Sequence, residues 1–218
     1  MDVSVQNKIM KVFQLFLLFV FGINFLQCQS VPAIDDLSII PEVTEADKKY
    51  ANVYKILDGT WKGQFKIYTD SKRKQKKAID LKNIGLKNLE KKGLTLNSTI
   101  EVEQIYTSVT PYFQRVLITD FYPESGQKVV AKGVNKVENG QLLCVVIKPD
   151  DTVIHDGYLE SRNTIIWQRA LKTPQKVEYF RETVDEKFYE IIGWGYYSED
   201  NLSLSPPFWF HGKYERVE

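Results

Sequence analysis

Strict alternation of apolar and polar residues marks the segment that follows Gly59. Odd positions from 61 to 67 are apolar or glycine and even positions are lysine or glutamine, in the order Trp-Lys-Gly-Gln-Phe-Lys-Ile. Successive side chains point to opposite faces of a strand, so this period of two predicts a strand with one buried face and one solvated face. We expect this segment to be the first strand of an antiparallel sheet.

Nine further short strands are predicted downstream of Gly93. Turn signals separate them, of which Asn139-Gly140 is the strongest because this pair favours a tight hairpin. The predicted strands are 94–103, 112–121, 128–137, 141–148, 152–160, 164–171, 177–184, 188–197 and 208–217. No helical crossover interrupts them, so the sheet should be antiparallel. The chain is therefore predicted to be all-β, an up-and-down barrel of about 8–10 strands, since closure removes exposed strand edges.

A short helix is predicted directly before the first strand. Thr44, followed three residues later by Asp47, forms a capping arrangement. Four apolar positions then share one helical stripe: Ala46, Tyr50, Val53 and Leu57. Residues 31–43 contain two prolines and are expected to be a linker, so the barrel domain should span 44–218.

Residues 1–30 have the composition of a secretory signal peptide. Lys8 and Lys11 precede an apolar run over 12–21, and small or polar residues follow it. The run is shorter than the roughly 20 residues that a membrane-spanning helix needs. Cleavage after Ser30 or after Cys28 fits, and lipid attachment at Cys28 is a third alternative. We expect a secreted or periplasmic protein, in which Asn97 and Asn201 would be glycosylation acceptors on a eukaryotic route.

Net charge and cysteine content predict neither a strongly charged partner nor a disulfide framework. Removal of residues 1–30 leaves 27 basic and 27 acidic side chains, so net charge favours no partner. Cys144 then has no cysteine to pair with, and we interpret it as a small buried residue. The cluster Lys72–Lys77 could contact an acidic membrane, but we favour the interpretation that it is a solvated loop or short helix. No aromatic residue interleaves these lysines, so nucleic acid is not an expected partner.

Gly59-Thr60-Trp61, preceded by a short helix and followed by a meander, resembles the opening of the calycin proteins, which include the lipocalins and the fatty-acid-binding proteins. This resemblance covers Thr44 to Val217. It implies that Trp61 plugs the base of the barrel and that a basic residue near the end of the barrel, here Arg216, packs across it. The paired cysteines of secreted lipocalins and their helix after the barrel are absent from this sequence.

The stretch from Gly59 to Gly63 is also similar to the start of the nitrobindins. That resemblance implies a haem held by a histidine near the C-terminus, a position occupied here by His211. Phe65 stands where that family continues with glycine. His211 shares its register with Lys213 and Glu215, which points it outward, so we expect neither a metal nor another cofactor.

Aromatic and aliphatic residues in the strands are the candidate ligand contacts. Barrels of this strand number can enclose one small ligand. The candidates are Phe65, Ile67, Tyr106, Phe113, Trp167, Tyr179 and Trp194. The glycines that flank Trp194 predict a close approach at that strand.

Sequence motifs for catalysis are missing: there is no phosphate-binding loop, no paired-histidine metal spacing and no Gly-x-Ser-x-Gly elbow. The leading hypothesis is a secreted monomer that binds a small apolar molecule inside its barrel. The alternative is a filled barrel that acts as a structural or surface-interaction module presenting the lysine-rich loop. A lyase or cyclase activity is a third, weaker alternative.

Overall fold

The computed structural model describes residues 37, 39–75, 79, 84–149 and 151–217. They belong to one compact unit, Ala33–Glu218. The predicted signal peptide and residues 31–36 and 38 of the predicted linker lie outside the described residues, so both assignments stay predictions. Of the helices that the structure describes, none is long and apolar enough to cross a membrane.

Ten strands and three short helical segments make up the described chain. Two 3₁₀ helices, Glu45–Tyr50 and Lys55–Leu57, come first, and the α-helix α1 spans Leu86–Lys91. The strands are β1 (Gly59–Thr69), β2 (Thr95–Thr110), β3 (Phe113–Tyr122), β4 (Gln127–Glu138), β5 (Gln141–Ile147), β6 (Thr152–Ser161), β7 (Thr164–Lys172), β8 (Gln175–Val184), β9 (Phe188–Tyr197) and β10 (Phe208–Val217).

The sheet is a closed antiparallel barrel. Each strand pairs with its neighbours in sequence, and β1 closes the ring by pairing with β10 from Thr60↔Val217 to Thr69↔Phe208. Closure leaves no strand edge open to a second chain. The structure confirms the predicted all-β, up-and-down barrel with a short N-terminal helical segment.

The 3₁₀ helices close one end of the barrel. The backbone N–H and hydroxyl of Thr44 both donate to Asp47 Oδ2 at 2.7 Å, as the capping arrangement predicts. Asp47 also accepts the N–H of Gly140 at 2.6 Å, which ties this segment to the β4–β5 turn and lowers the pKa of the carboxyl. The predicted helix is divided in two because Asn52 adopts a left-handed φ of 62° and donates its N–H to the Pro111 carbonyl.

Trp61 and Arg216 meet at this closed end. Trp61 is fully buried and donates its indole N–H to the Leu57 carbonyl at 2.7 Å. The Arg216 guanidinium lies 4.3 Å from the centre of the indole ring. It donates to the carbonyl oxygens of Ile56 at 2.8 Å, Glu186 at 3.1 Å and Asp58. One side chain therefore joins the second 3₁₀ helix, the β8–β9 turn and the last strand.

Two apolar clusters lie on the outside of the barrel, away from its interior. The first joins Leu89 of α1 to outward-facing side chains of three strands: Tyr68, Ile192 and Trp209. The second consists of Phe113, Val134 and Val145, against which Leu37 and Ile154 pack. These strands are therefore apolar on both faces in places, which weakens their alternation.

Candidate ligand-binding cavity

A cavity of about 380 Å³ occupies the barrel interior. Its wall includes the side chains of Phe65, Ile67, Phe180 and Phe210. The ring centroid of Phe210 lies 5.8 Å from that of Phe65 and 5.4 Å from that of Phe180. The acidic side chains of the lining lie in three places, at Glu182, Glu178 and Asp120. Apolar walls with a few placed polar groups are the usual build of a small-molecule site.

Four of the seven predicted contacts line the cavity and three do not. Phe65, Ile67, Tyr106 and Trp167 line it. Tyr179 and Trp194 stack on each other with ring centres 5.4 Å apart, in the outer cluster beneath α1. Phe113 is fully buried in the second outer cluster. A ligand in the interior would therefore not contact these three aromatic residues.

Glu182 is a buried carboxyl at the closed end of the cavity, and only one of its two oxygens is hydrogen-bonded among the described residues. Its Oε2 accepts hydrogen bonds from the Trp167 indole N–H and from the Tyr189 hydroxyl, each at 3.1 Å. The Tyr189 hydroxyl lies 3.2 Å from that of Tyr106, which donates to Gln104 Oε1 at 2.8 Å. The other carboxylate oxygen of Glu182, Oε1, is buried and has no hydrogen-bond partner among the described residues.

Burial raises the pKa of Glu182 to about 7, and its two hydrogen bonds offset only part of that rise. An ionised carboxylate in an apolar site loses its hydration, which favours the protonated form. Among the described residues no basic side chain contributes to this pKa. Glu182 therefore gains and loses its proton near neutral pH.

Glu178, four residues earlier on the same face of β8, has a very different environment. Tyr197 donates its hydroxyl to Oε1 at 2.7 Å, and His155 Nε2 lies 3.2 Å from Oε2. Arg169 lies 3.6 Å from the same oxygen. Burial alone would raise the pKa of Glu178, but the contacts with His155, Tyr197 and Arg169 outweigh it and hold this pKa below its ordinary value. Glu178 is thus a partnered carboxylate of the wall.

Asp120 and Lys148 form the third polar group of the cavity, with Nζ 3.6 Å from Oδ2. Burial raises the pKa of Asp120, and the neighbouring ammonium reduces that rise. The pair lies on β3 and just after β5. It marks the cavity end where Lys148 remains partly exposed.

Cys144 is a free cysteine on β5 that lines the cavity. Burial, together with the negative charge of Glu182, raises its pKa to about 12. At pH 8 we expect iodoacetamide to alkylate it about a thousandfold more slowly than an unfolded cysteine, because the thiolate is the reacting species. Peptide mapping by mass spectrometry separates Cys144 from Cys28 and measures each rate. Alkylation of Cys144 in the folded protein at the rate of the urea-unfolded chain would contradict this assignment.

His211 lies outside the barrel. Its Nε2 is 2.9 Å from Glu190 Oε1. His211 faces an outer groove between β1 and β10 that Leu86 of α1 helps to line. It is therefore separated from the interior by the sheet itself. In the part of the chain that the structure describes, no three His, Cys, Asp or Glu side chains come together to hold a metal ion.

Only part of the predicted lysine cluster can be placed. Lys72 and Lys74 are exposed, and Arg73 between them donates to the Ser205 carbonyl at 2.7 Å. Residues 76–78 lie outside the described residues. Membrane contact through Lys72–Lys77 stays a prediction.

No family model and no curated protein matches this chain. Solved structures similar to it include redesigned β-barrels. One, b11L5F_LGL, has a TM-score of 0.37 at 12% identity, over 77% of this chain and 97% of that chain. Another, mFAP1 bound to DFHBI, has a TM-score of 0.34 at 11% identity, over 76% and 100%. EF1p2_mFAP2b bound to DFHBI has a TM-score of 0.36 at 11% identity, over 77% and 99%.

Proposed function

We propose that this protein binds one small apolar molecule in the interior of its barrel. The observation that carries the proposal is the cavity of about 380 Å³. Ligand pockets usually measure about 300–1,000 Å³ and are lined mainly by apolar and aromatic side chains. Burial of apolar ligand surface against this wall would supply the main part of the binding free energy.

The cavity favours ligand binding over the alternative of a filled structural barrel. A filled barrel requires side chains that meet across the interior, as in a well-packed core. Here Ile118 and Phe65 point into the barrel and border the open cavity, so they do not fill the interior. The contact of Arg216 with Trp61 supports a calycin-like arrangement in which the base is plugged and the interior above it is left for a ligand.

A variant that fills the cavity tests this proposal. Ile118→Trp adds an indole to the interior face of β3, so we expect at least a tenfold weaker affinity for the neutral fluorescent probe N-phenyl-1-naphthylamine. Leu117→Trp places the same side chain on the opposite face of β3 and is the matched control. It should bind one equivalent of the probe with unchanged affinity. Equal loss in both variants, or no saturable binding to the unmodified protein, would overturn the proposal.

We further propose that the protein works outside the cytoplasm, after removal of residues 1–30. The basic end and apolar run of the leader support this location. Asn97 and Asn201 are both exposed, so both are accessible to glycosylation on a eukaryotic route. The intact mass and N-terminal sequence of protein recovered from its own source test the proposal. An N-terminus that retains residues 1–30 on cytoplasmic protein would overturn it.

A further inference from the structure

The unpartnered oxygen of Glu182 has a direct bearing on what the cavity binds. Glu182 lines the cavity with only 8% of its surface exposed. Its Oε2 already receives two hydrogen bonds, so the Trp167 indole and the Tyr189 hydroxyl hold the carboxyl in one orientation. Oε1 lacks a partner among the described residues. A buried acceptor without a donor is destabilising, and a ligand that donates to it would remove that cost.

The other acidic side chains of the cavity do not offer an equivalent site. Both oxygens of Glu178 have partners, and Asp120 lies beside the Lys148 ammonium. Among the described acidic side chains of the cavity, Glu182 is therefore the one that has no basic partner. No described basic side chain contributes to its pKa, and its buried Oε1 has no donor among the described residues.

Aromatic rings surround the same end of the cavity. Tyr189 packs against Tyr106 with ring centroids 6.2 Å apart and against Tyr214 at 4.9 Å. Trp167 completes this aromatic group on the Glu182 side. The faces of such rings attract cations, and the attraction is stronger where water is excluded. Carboxylate and rings together favour a positively charged donor over a neutral one.

We propose that the ligand of this cavity is an amine: an apolar, ring-sized body that carries one protonated nitrogen, which donates to Glu182 Oε1 while the body packs among Phe65, Phe180 and Phe210. This inference rests on the proposed function of the cavity. It adds to that function a chemical class of ligand and the residue that selects it. An anionic ligand of the same shape would be repelled by the ionised carboxylate.

Three probes with one ring system test the selection. They are 1-naphthylmethylamine, 1-ethylnaphthalene and 1-naphthylacetate, measured by equilibrium dialysis against the full chain at about pH 8, where Glu182 is ionised. We expect the amine to bind about tenfold or more tightly than the hydrocarbon, because hydrogen bonds to charged groups are the strong ones. The carboxylate should bind more weakly than the hydrocarbon.

Glu182→Gln removes the charge and keeps the size of the side chain. Its oxygen can still accept from Trp167 and Tyr189, so the amide NH₂ takes the position of Oε1 and offers donors instead. The variant should bind the hydrocarbon as before and lose the preference for the amine. Glu101→Gln, on the exposed outer face of β2, removes the same charge and should keep the preference. Unchanged hydrocarbon binding by Glu182→Gln shows that the variant is folded.

The pH gives a second, independent readout. The titratable groups that interact with Glu182 are Tyr54, Tyr106, Cys144, Tyr189 and Tyr214. Burial raises the pKa of each, so all stay neutral between about pH 5 and pH 8. The preference for the amine should therefore fall at about pH 5, where Glu182 is protonated, with no change in hydrocarbon affinity.

Each outcome separates the two proposals. Equal affinities for amine and hydrocarbon, or a preference that survives in Glu182→Gln, would overturn the amine assignment and leave the apolar cavity in place. Failure of all three probes to bind the unmodified protein would overturn ligand binding itself. Loss of the preference in Glu101→Gln as well would assign it to net charge rather than to Glu182.

Discussion

The free energy of unfolding of the unliganded protein is expected to fall by roughly 2 to 3 kcal/mol as the pH rises from about 5 to about 8, because Glu182 must lose a proton inside the barrel. The pKa of this carboxyl is about 7 in the folded chain against an ordinary value of 4.5. The folded state therefore holds the proton more tightly than the unfolded state does. The resulting stabilisation is complete below the unfolded pKa and is lost as the pH rises through about 7.

Urea unfolding of the wild type and of Glu182→Gln at several pH values measures this effect. The difference between the two proteins isolates Glu182, since every other titrating group is common to both. Carboxyls with lowered pKa, such as Asp47, Asp58 and Asp151, act in the opposite direction and at more acidic pH. Parallel stability profiles for wild type and variant would contradict a buried, titrating Glu182.

The lower stability expected at about pH 8 and the proposed preference for an amine both follow from the buried carboxyl of Glu182. An ionised Glu182 is costly because Oε1 has no donor among the described residues. A bound ammonium would supply that donor and offset the cost, so an amine should stabilise the protein more at about pH 8 than at about pH 5. A carboxyl kept only for packing would gain nothing from a cation. The temperature of unfolding with and without 1-naphthylmethylamine reports this difference.

The barrel could be predicted from the sequence because its signals are local. Turn pairs such as Asn139-Gly140 fix the ends of hairpins, and strands joined by tight turns can only pair with their neighbours. β3 to β10 accordingly lie within a few residues of their predicted bounds. β2 is the exception, since it continues to Thr110 rather than ending at residue 103. Its later part alternates less strictly, with Ser108 bound to the Asp58 carboxylate rather than to solvent.

The residues that line the cavity were harder to predict, because two apolar clusters on the outer face of the barrel are also buried. Trp194 looks like a core residue in the sequence, and it is one, but it belongs to the core between the barrel wall and α1. Phe113 is buried in the cluster against which Leu37 packs, also outside the barrel. When both faces of a strand are covered, period-two alternation no longer says which face is inside. The long-range packing of α1 and Leu37 has no local signature.

Glu182 was missed for the same reason. Tyr179 and Phe180 are adjacent aromatic residues, so one of them must face inward and the other outward. Choosing Tyr179 assigns Glu182 to the outer face. The structure places Phe180 inside, and Glu178 and Glu182 follow it because all three share one face of β8. The usable signal was the pair of glutamates flanking Phe180, which would have marked β8 as a strand with charged groups on its inner face.

Replacement of Trp61 by alanine is expected to lower the free energy of unfolding by about 3–5 kcal/mol, because it empties the fully buried plug at the base of the barrel. The loss also leaves the Leu57 carbonyl without its indole donor. Urea unfolding at pH 7 measures the change. Phe188→Ala is the matched control, since Phe188 is a 48% exposed aromatic residue at the same end of the barrel and should cost less than about 1 kcal/mol.

Arg216 should contribute less than Trp61, although the two side chains are in contact. Its guanidinium is partly solvated, so Arg216→Ala should cost about 1–2 kcal/mol. The double variant should show a coupling free energy of roughly 1 kcal/mol, the size of a partly exposed cation–π contact. Strictly additive effects would mean that Arg216 acts through its bonds to the Ile56, Asp58 and Glu186 carbonyls alone.

Trp61→Phe should leave the affinity for N-phenyl-1-naphthylamine unchanged. Trp61 packs at the closed end of the barrel and does not line the cavity.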